Sequence, residues 1–449
     1  MITGPPTGLF ATIDTAPRPV NHWPVMINSQ PWYRAAITLA PSPLRGVRRV
    51  QVAVVGGGLC GLAAALTAAE AGAETVLLEA GALADGGSGR NGGQVVPGWS
   101  RGAADLRQRY GDDRARALLI LADQARAWLL ATIARLAIDV DWQPHYLFAA
   151  IHQHHHADLD REVAAHAALG LPPPVLWDSR QISAAIGTAR YGAALHYPDG
   201  GHLHPGRLCQ GLAAAAIAAG AHLFCHSPVL RLTGSGPFEL ATPHGSLQAE
   251  RVILACDAAA GQFHPSLAGR TLSLVSAVMA TQPLATPPMA APWAVADSAH
   301  QIDYFRQTGD GRLVYGGLAR FDDRVPRDVV AALRRLLRRT YPALADTAVS
   351  HAWHGRIAAT ACRLPLLAEP VPGLFAALGF SGQGVCLAPY AGLLMARAAV
   401  LAHSLPDDWT TLPHRWVPQG ALGRGIGALV GLWYGAVDGL LLATARRPR

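Results

Sequence analysis

Gly56-x-Gly58-x-x-Gly61 follows the β-branched run Val52-Ala53-Val54-Val55 and precedes an Ala/Leu-rich stretch at 62–71. An all-apolar, β-branched run is typical of a strand buried on both faces of a parallel sheet. Gly56 permits the tight turn out of the strand. Gly58 lets the backbone approach a pyrophosphate, and Gly61 lets helix and strand pack closely. Gly72 stands where a glycine ends a helix. Residues 75–79 then read as a second strand that closes on Glu79, 18 positions after Gly61. An acid there accepts from a ribose hydroxyl and favours a ribose without a 2′-phosphate. The spacing predicts a β-α-β unit that binds FAD or NAD rather than NADP. The bland alternative is a glycine-rich packing turn in an unrelated α/β sheet.

Two more glycine clusters follow. Ser88-Gly89-Arg90-Asn91-Gly92-Gly93-Gln94 is too rich in glycine to pack a core. Its glycines admit a flat ring, while Ser88, Arg90, Asn91 and Gln94 offer hydrogen bonds. In isolation a flexible surface loop is its commoner reading. Gly379-Phe380-Ser381-Gly382-Gln383-Gly384 lies between a strand at 375–380 and a helix at 385–403. A helix N-terminus reached through glycines can hold negative charge, such as that of a reduced flavin. Its plain alternative is an ordinary αβ turn.

With 449 residues, the chain exceeds one ordinary core and suggests two intertwined domains. Hydrophobic residues make up 51% and charged residues 15%, so a large core can be buried. The net charge is +7, and all 37 basic residues are Arg. No step can therefore use a lysine amine. The basic total raises nucleic-acid or membrane contact, but the charges form no tract. Nucleic acid is not expected as a partner, and membrane contact is the disfavoured option. The six Cys include no C-x-x-C pair, which points to a reduced, cytoplasmic protein without a zinc site. No signal-peptide pattern is read at the N-terminus, where Arg18 is the first basic residue. The longest apolar segment, 426–442, is 17 residues long and contains Asp438. That is short of the ~20 a spanning helix needs.

Elsewhere, 1–50 reads as an irregular arm with Trp32-Tyr33 as an anchor, and order begins at Val52. A helix is expected over 103–136, a turn over 200–205, helix over 206–219 and strand over 251–256. Short strands are expected between 271 and 318, and an Arg-rich helix over 325–340 with a solvated face. Glycines such as Gly427, Gly435 and Gly439 lower helix propensity in the last apolar stretch. Docking on the protein body is favoured there over a membrane interface, because Asp438 is costly at a lipid face.

These three glycine motifs, in this order, resemble the FAD-dependent amine and amino-acid oxidoreductases of the D-amino-acid oxidase superfamily. Gly200-Gly201-His202-Leu203-His204-Pro205 is similar to the family's turn before a helix of the FAD domain. Val252–Asp257 sits where members return to the dinucleotide site, although Asp257 stands where Gly or Asn is frequent. Asp303–Arg306 and Gly311–Gly317 look like strands of the substrate domain. Trp32-Tyr33, Ser88–Gly93 and Trp353-x-Gly355 resemble the γ-glutamylputrescine oxidase-like branch.

The resemblance implies a Rossmann-like α/β FAD domain of discontinuous segments (46–98, 200–264 and 351–400). An antiparallel-sheet substrate domain would comprise 99–199 and 265–350, with an arm at 1–45 and an extension at 401–449. It implies FAD held by Gly56, Gly58, Gly61, Glu79, Ser88, Arg90, Asn91, Gly92, Gln94, Val229, Gly379, Ser381, Gly382, Gln383 and Gly384. The catalytic set expected is Tyr304, Arg306, Trp353 and His204, with the two aromatics suited to a substrate cation.

Two departures from the family refine this. Glycine-oxidase-like members bind the substrate carboxylate with an Arg three residues before a strand Thr. Here Thr360 is present, but that position is Ile357; Arg356 is one place off and so faces the other way. An amine is therefore favoured over an α-amino acid. Sarcosine-oxidase-like members attach FAD through a cysteine at a position that is Gly355 here, so FAD is expected to be non-covalent. The tract His152, His154, His155 and His156 reads as a solvated turn rather than a metal site. The expected reaction is oxidation of an amine to an imine, with hydride passed to the flavin and O2 as acceptor. The positive charge that helps O2 must come from Arg, His or the helix end before Val385. The alternatives are a dehydrogenase passing electrons to a quinone or protein, and a non-catalytic RNA- or membrane-binding flavoprotein. The oligomeric state is not legible.

Overall fold

A computed structural model describes residues 30–321 and 324–445. Among them are an eight-stranded and a nine-stranded sheet. At the centre of the first is Gly46–Val55, paired in parallel with Thr75–Leu78 on one side and Gly245–Leu254 on the other. Leu374–Leu378 continues the parallel array beyond Gly245–Leu254. His222–Phe224 extends it beyond Thr75–Leu78. The order of strands reverses about Gly46–Val55, so the end of that strand is the switch point at which α/β sheets bind ligands.

The apolar run divides its side chains between two cores. Val52, Val54 and Leu77 face the helices Leu59–Glu70, Pro205–Ala218 and Gly384–Leu401. Ala53, Val55, Val76 and Leu78 face a second core with Phe238, Leu247 and Leu378. Both faces are covered, which is why no polar residue interrupts the run.

The nine-stranded sheet runs Val349–Thr360, Thr271–Thr281, Leu313–Arg320, Tyr304–Gln307, Ala294–Asp297, Gln143–Ala150, Ala193–His202 and Gln94–Val95. Val175–Asp178 pairs with Ala193–His202 at its side. It is antiparallel except where Ala294–Asp297 meets Gln143–Ala150. The helix Val329–Thr340 packs Leu333 and Leu337 into one face of this sheet and leaves Arg335, Arg338 and Arg339 exposed.

Several sequence expectations need correction. Order begins before Val52: Trp32–Ala36 is a short 3-10 helix, and the first strand starts at Gly46. The stretch 103–136 is two helices, Ala103–Tyr110 and Asp112–Arg135, because Gly111 between them adopts φ +79°. Residues 200–202 are strand, not turn. The expected domain boundaries at 199/200 and 350/351 therefore fall inside the continuous strands Ala193–His202 and Val349–Thr360. The last apolar stretch is one helix, Gly420–Ala445, in spite of its glycines. Residues 1–29 and Arg446, Arg447 and Arg449 lie outside the described residues, as does the region of the signal-peptide expectation.

Candidate active site

The helix Leu59–Glu70 begins at Gly58, which has no side chain to cap it. Ser88 supplies part of that cap, its Oγ accepting the Leu59 amide at 2.9 Å. Glu79 stands beside the same turn. Its Oε2 accepts from the Gly57 amide at 2.6 Å and its Oε1 from the Gly81 amide at 2.8 Å. Burial pushes its carboxyl above the ordinary range.

The glycines fit a dinucleotide cradle. A Cβ on Gly56, at φ +114°, would meet Ala255 O at 2.6 Å. One on Gly61 would meet Gly56 O at 1.8 Å, and one on Gly58 would meet Ser88 Oγ at 2.7 Å. Close backbone, uncapped first-turn amides and an acid at the next strand end together suit pyrophosphate and ribose. Val229 lies half-buried against the second core.

The loop 88–94 is held from several sides. Asn91 Nδ2 donates to Gly87 O and Ser88 O, and its Oδ1 accepts from the Gly93 amide. Arg90 pairs with Asp85 at 3.2 Å. Gln94 Nε2 donates to Val295 O and Phe305 O of the nine-stranded sheet. The Ser381 amide donates to Ala358 O, and Gln383 starts the helix Gly384–Leu401.

A cavity of about 1160 Å³ opens between this loop, the turn at 381–383 and one face of the nine-stranded sheet. Arg90, Asn91, Gly92, Gln94, Ser381, Gly382 and Gln383 border it, as does Tyr304. The Tyr304 ring packs against bare backbone on two sides: a Cβ on Gly92 or Gly316 would meet it at 2.7 or 2.2 Å. Ser276 Oγ donates to Gly317 O at 3.0 Å and so accepts the Tyr304 hydroxyl at 3.1 Å. Burial pushes the phenol up to about 12, so it stays protonated.

The other expected catalytic residues do not border the cavity. Arg306 is buried; its Nε donates to Gly92 O at 2.6 Å, and its Nη atoms donate to His202 Nδ1 and Tyr33 Oη. Trp353 Nε1 donates to Arg90 O at 2.9 Å. Both are positioning residues that hold the glycine loop. His204 caps the helix Pro205–Ala218 by accepting the Arg207 amide, and Trp32 and Tyr33 pack on its ring. Burial, then Arg306, lowers it to about 4, so it is neutral.

Sequence reading missed the walls of the cavity. Tyr146 and Phe148 face Leu195 and Tyr197 from adjacent strands, and Val430 and Tyr434 close one side from the last helix. The period-2 spacing of Tyr146/Phe148 and Leu195/Tyr197 was the signal available. His152, His154 and His155 stack on one another or bond to Ser298, and no group of three metal-ligating side chains occurs among the described residues.

Asp257 returns the chain to the dinucleotide turn. It adopts φ +50°, and its Oδ1 accepts the Gly379 amide at 2.7 Å, joining two glycine motifs. Burial pushes its carboxyl up to about 6, against partial opposition from backbone donors. The folded state therefore binds this proton more tightly than the unfolded chain. Stability is then fully present below pH ~4 and falls as pH rises through ~6. Asp257→Asn keeps one acceptor oxygen for the Gly379 amide and removes the charge. It is expected to gain about 1 kcal/mol at neutral pH and to flatten that limb. Denaturation midpoints across pH 4–8 check this; an unchanged slope would refute the assignment to Asp257.

The sequence pattern of the FAD dependent oxidoreductase (DAO) family matches residues 51–398. The chain is 34% identical over 379 residues to a probable oxidoreductase OrdL of Rhizobium meliloti strain 1021, covering 82% of this chain and 88% of that one. It is 33% identical over 374 residues to gamma-glutamylputrescine oxidoreductase of Escherichia coli strain K12, with the same coverage. The crystal structure of glycine oxidase from Geobacillus kaustophilus superposes with a TM-score of 0.71 at 23% identity, covering 82% of this chain and 99% of that one.

Proposed function

The chain belongs to the FAD dependent oxidoreductase (DAO) family, and on that footing we propose that it oxidises the C–N bond of a primary or secondary amine to an imine, with O2 as final acceptor. Bound FAD supplies the two-electron acceptor chemistry. The chain's own residues hold and orient. The observation that carries the reading is the sheet row facing the cavity. Leu272, Leu274 and Ser276 stand opposite Ala359, Ile357 and Gly355, and none is charged. Arg356 pairs with Val275, out of phase with that row, although it too borders the cavity.

Tyr304 keeps its proton and donates that O–H as a hydrogen bond to Ser276, so its oxygen can accept an amine N–H and orient the substrate. It cannot serve as a base. Glu162 accepts the Ala103 and Ala104 amides, and His300 bonds Asp438. In this reading the amine arrives neutral, its proton lost to solvent before it binds. With Arg306 and His204 away from the cavity, the positive charge that favours O2 reduction comes from the N-terminus of Gly384–Leu401 and from the cavity-lining Arg90 and Arg356. FAD is non-covalent in this reading. Gly355 has no thiol, and Cys362 Sγ contacts Thr360 Oγ1 and His414 Nδ1 without bordering the cavity.

An anaerobic amine panel read by flavin bleaching tests the proposal. Bleaching rate should rise about tenfold per pH unit until the amine's own pKa is reached. Admitting air should restore the colour. If amines bleach the enzyme but only a quinone restores it, the O2 assignment fails and the dehydrogenase alternative stands.

A further inference from the structure

The helix Gly420–Ala445 carries two unlike faces. The inward one is Gly423, Gly427, Tyr434 and Asp438, at steps of four, seven and four. Gly427 lies so close to the body that a Cβ would meet Phe321 O at 2.3 Å. Asp438 is 8% exposed and accepts from the amides of His300 and Gln301 and from His300 Nδ1. The His300 ring stacks on Tyr434 at 4.8 Å. The helix is thus docked, and its one carboxylate is spent on the body.

The outward face is apolar. Leu422, Ile426, Leu429 and Trp433 recur at helical spacing, with Leu432 beside them. Leu429 is 68% and Trp433 61% exposed. A helix facing water carries polar residues there. Arg424 is the only charged residue exposed on this helix among residues 420–438, and Trp416 stands exposed just before it. From residue 411 the sequence holds Arg415, Arg424, Arg446, Arg447 and Arg449 against a single acid, Asp438, which is buried. The cost of Asp438 at a lipid face does not arise, because it points inward.

We propose that this helix seats the enzyme on an anionic membrane surface, its Leu422–Trp433 stripe in the headgroup–acyl boundary and the exposed Arg415 and Arg424 on lipid phosphates. The same helix lines the cavity through Gly427, Val430 and Tyr434, and Ile426, 40% exposed, stands at the edge shared by stripe and cavity, so the cavity rim lies at that surface.

Full-length holoenzyme should co-sediment with vesicles of mixed phosphatidylglycerol and phosphatidylcholine, and less so with phosphatidylcholine alone or in high salt. Leu429→Gln with Leu432→Gln should lower the partition coefficient at least about tenfold. These two side chains are 68% and 71% exposed, so flavin content and thermal midpoint should not move. Wild type that stays in the supernatant with every vesicle, or pelleting that the double variant leaves intact, overturns the proposal. Vesicle-independent self-association abolished by the variant also overturns it, by assigning the stripe to a second copy of the chain.

Discussion

Gly58→Val should purify colourless, with FAD affinity down at least about a hundredfold. A single Cβ there already reaches to 2.7 Å from Ser88 Oγ. The two further methyls of valine must displace Ser88, which holds the Leu59 amide and begins the glycine loop. The first-turn amides then lose both their approach to the pyrophosphate and their alignment. Flavin absorbance per mole of folded protein measures this. Acid precipitation of the wild type should leave the flavin in the supernatant. A yellow, stoichiometric variant would show that close approach at Gly58 is dispensable.

Amines without an α-carboxylate should exceed glycine, sarcosine and D-alanine in kcat/KM by at least about a hundredfold. A carboxylate entering the cavity beside Ile357 loses hydration against the uncharged row of the sheet, and Arg356, which also borders the cavity, stands out of phase with that row and already has another partner. Ile357→Arg places a guanidinium in that row and should narrow the ratio at least about tenfold. Steady-state kinetics on matched amine and amino-acid pairs decide the matter. Any of the three amino acids outrunning every amine would sink the proposal.

What could be read from the sequence was local. The run 52–55, the glycines at 56, 58 and 61 and the acid at 79 are neighbours, and each constrains the next. What could not be read depends on distant backbone. Gly200-Gly201 resembles a turn, yet it is strand, made of glycine because a Cβ on Gly201 would meet Gln143 O at 2.2 Å. Arg306 and Trp353 look catalytic beside Tyr304, but their partners are the carbonyls of Gly92 and Arg90, far off in sequence. His204 is a helix cap through an amide three residues on. In the last helix, Gly423 and Gly427 form an inward stripe against Pro418 and Phe321 rather than breaks.

The seating of Gly384–Leu401 on Leu59–Glu70 also bears on how the protein is made. A Cβ on Gly392 would meet Cys60 O at 2.1 Å, and the strand preceding this helix pairs with residues 252–254. During synthesis, the first glycine turn emerges early but has no neighbour on that side until the chain up to Leu401 has left the ribosome. The full cradle for a flavin therefore closes late in synthesis. Until then the apolar flank of the first helix stands bare to chaperones and proteases. FAD that binds this folded arrangement stabilises it by mass action, so FAD supply should govern how many completed chains survive.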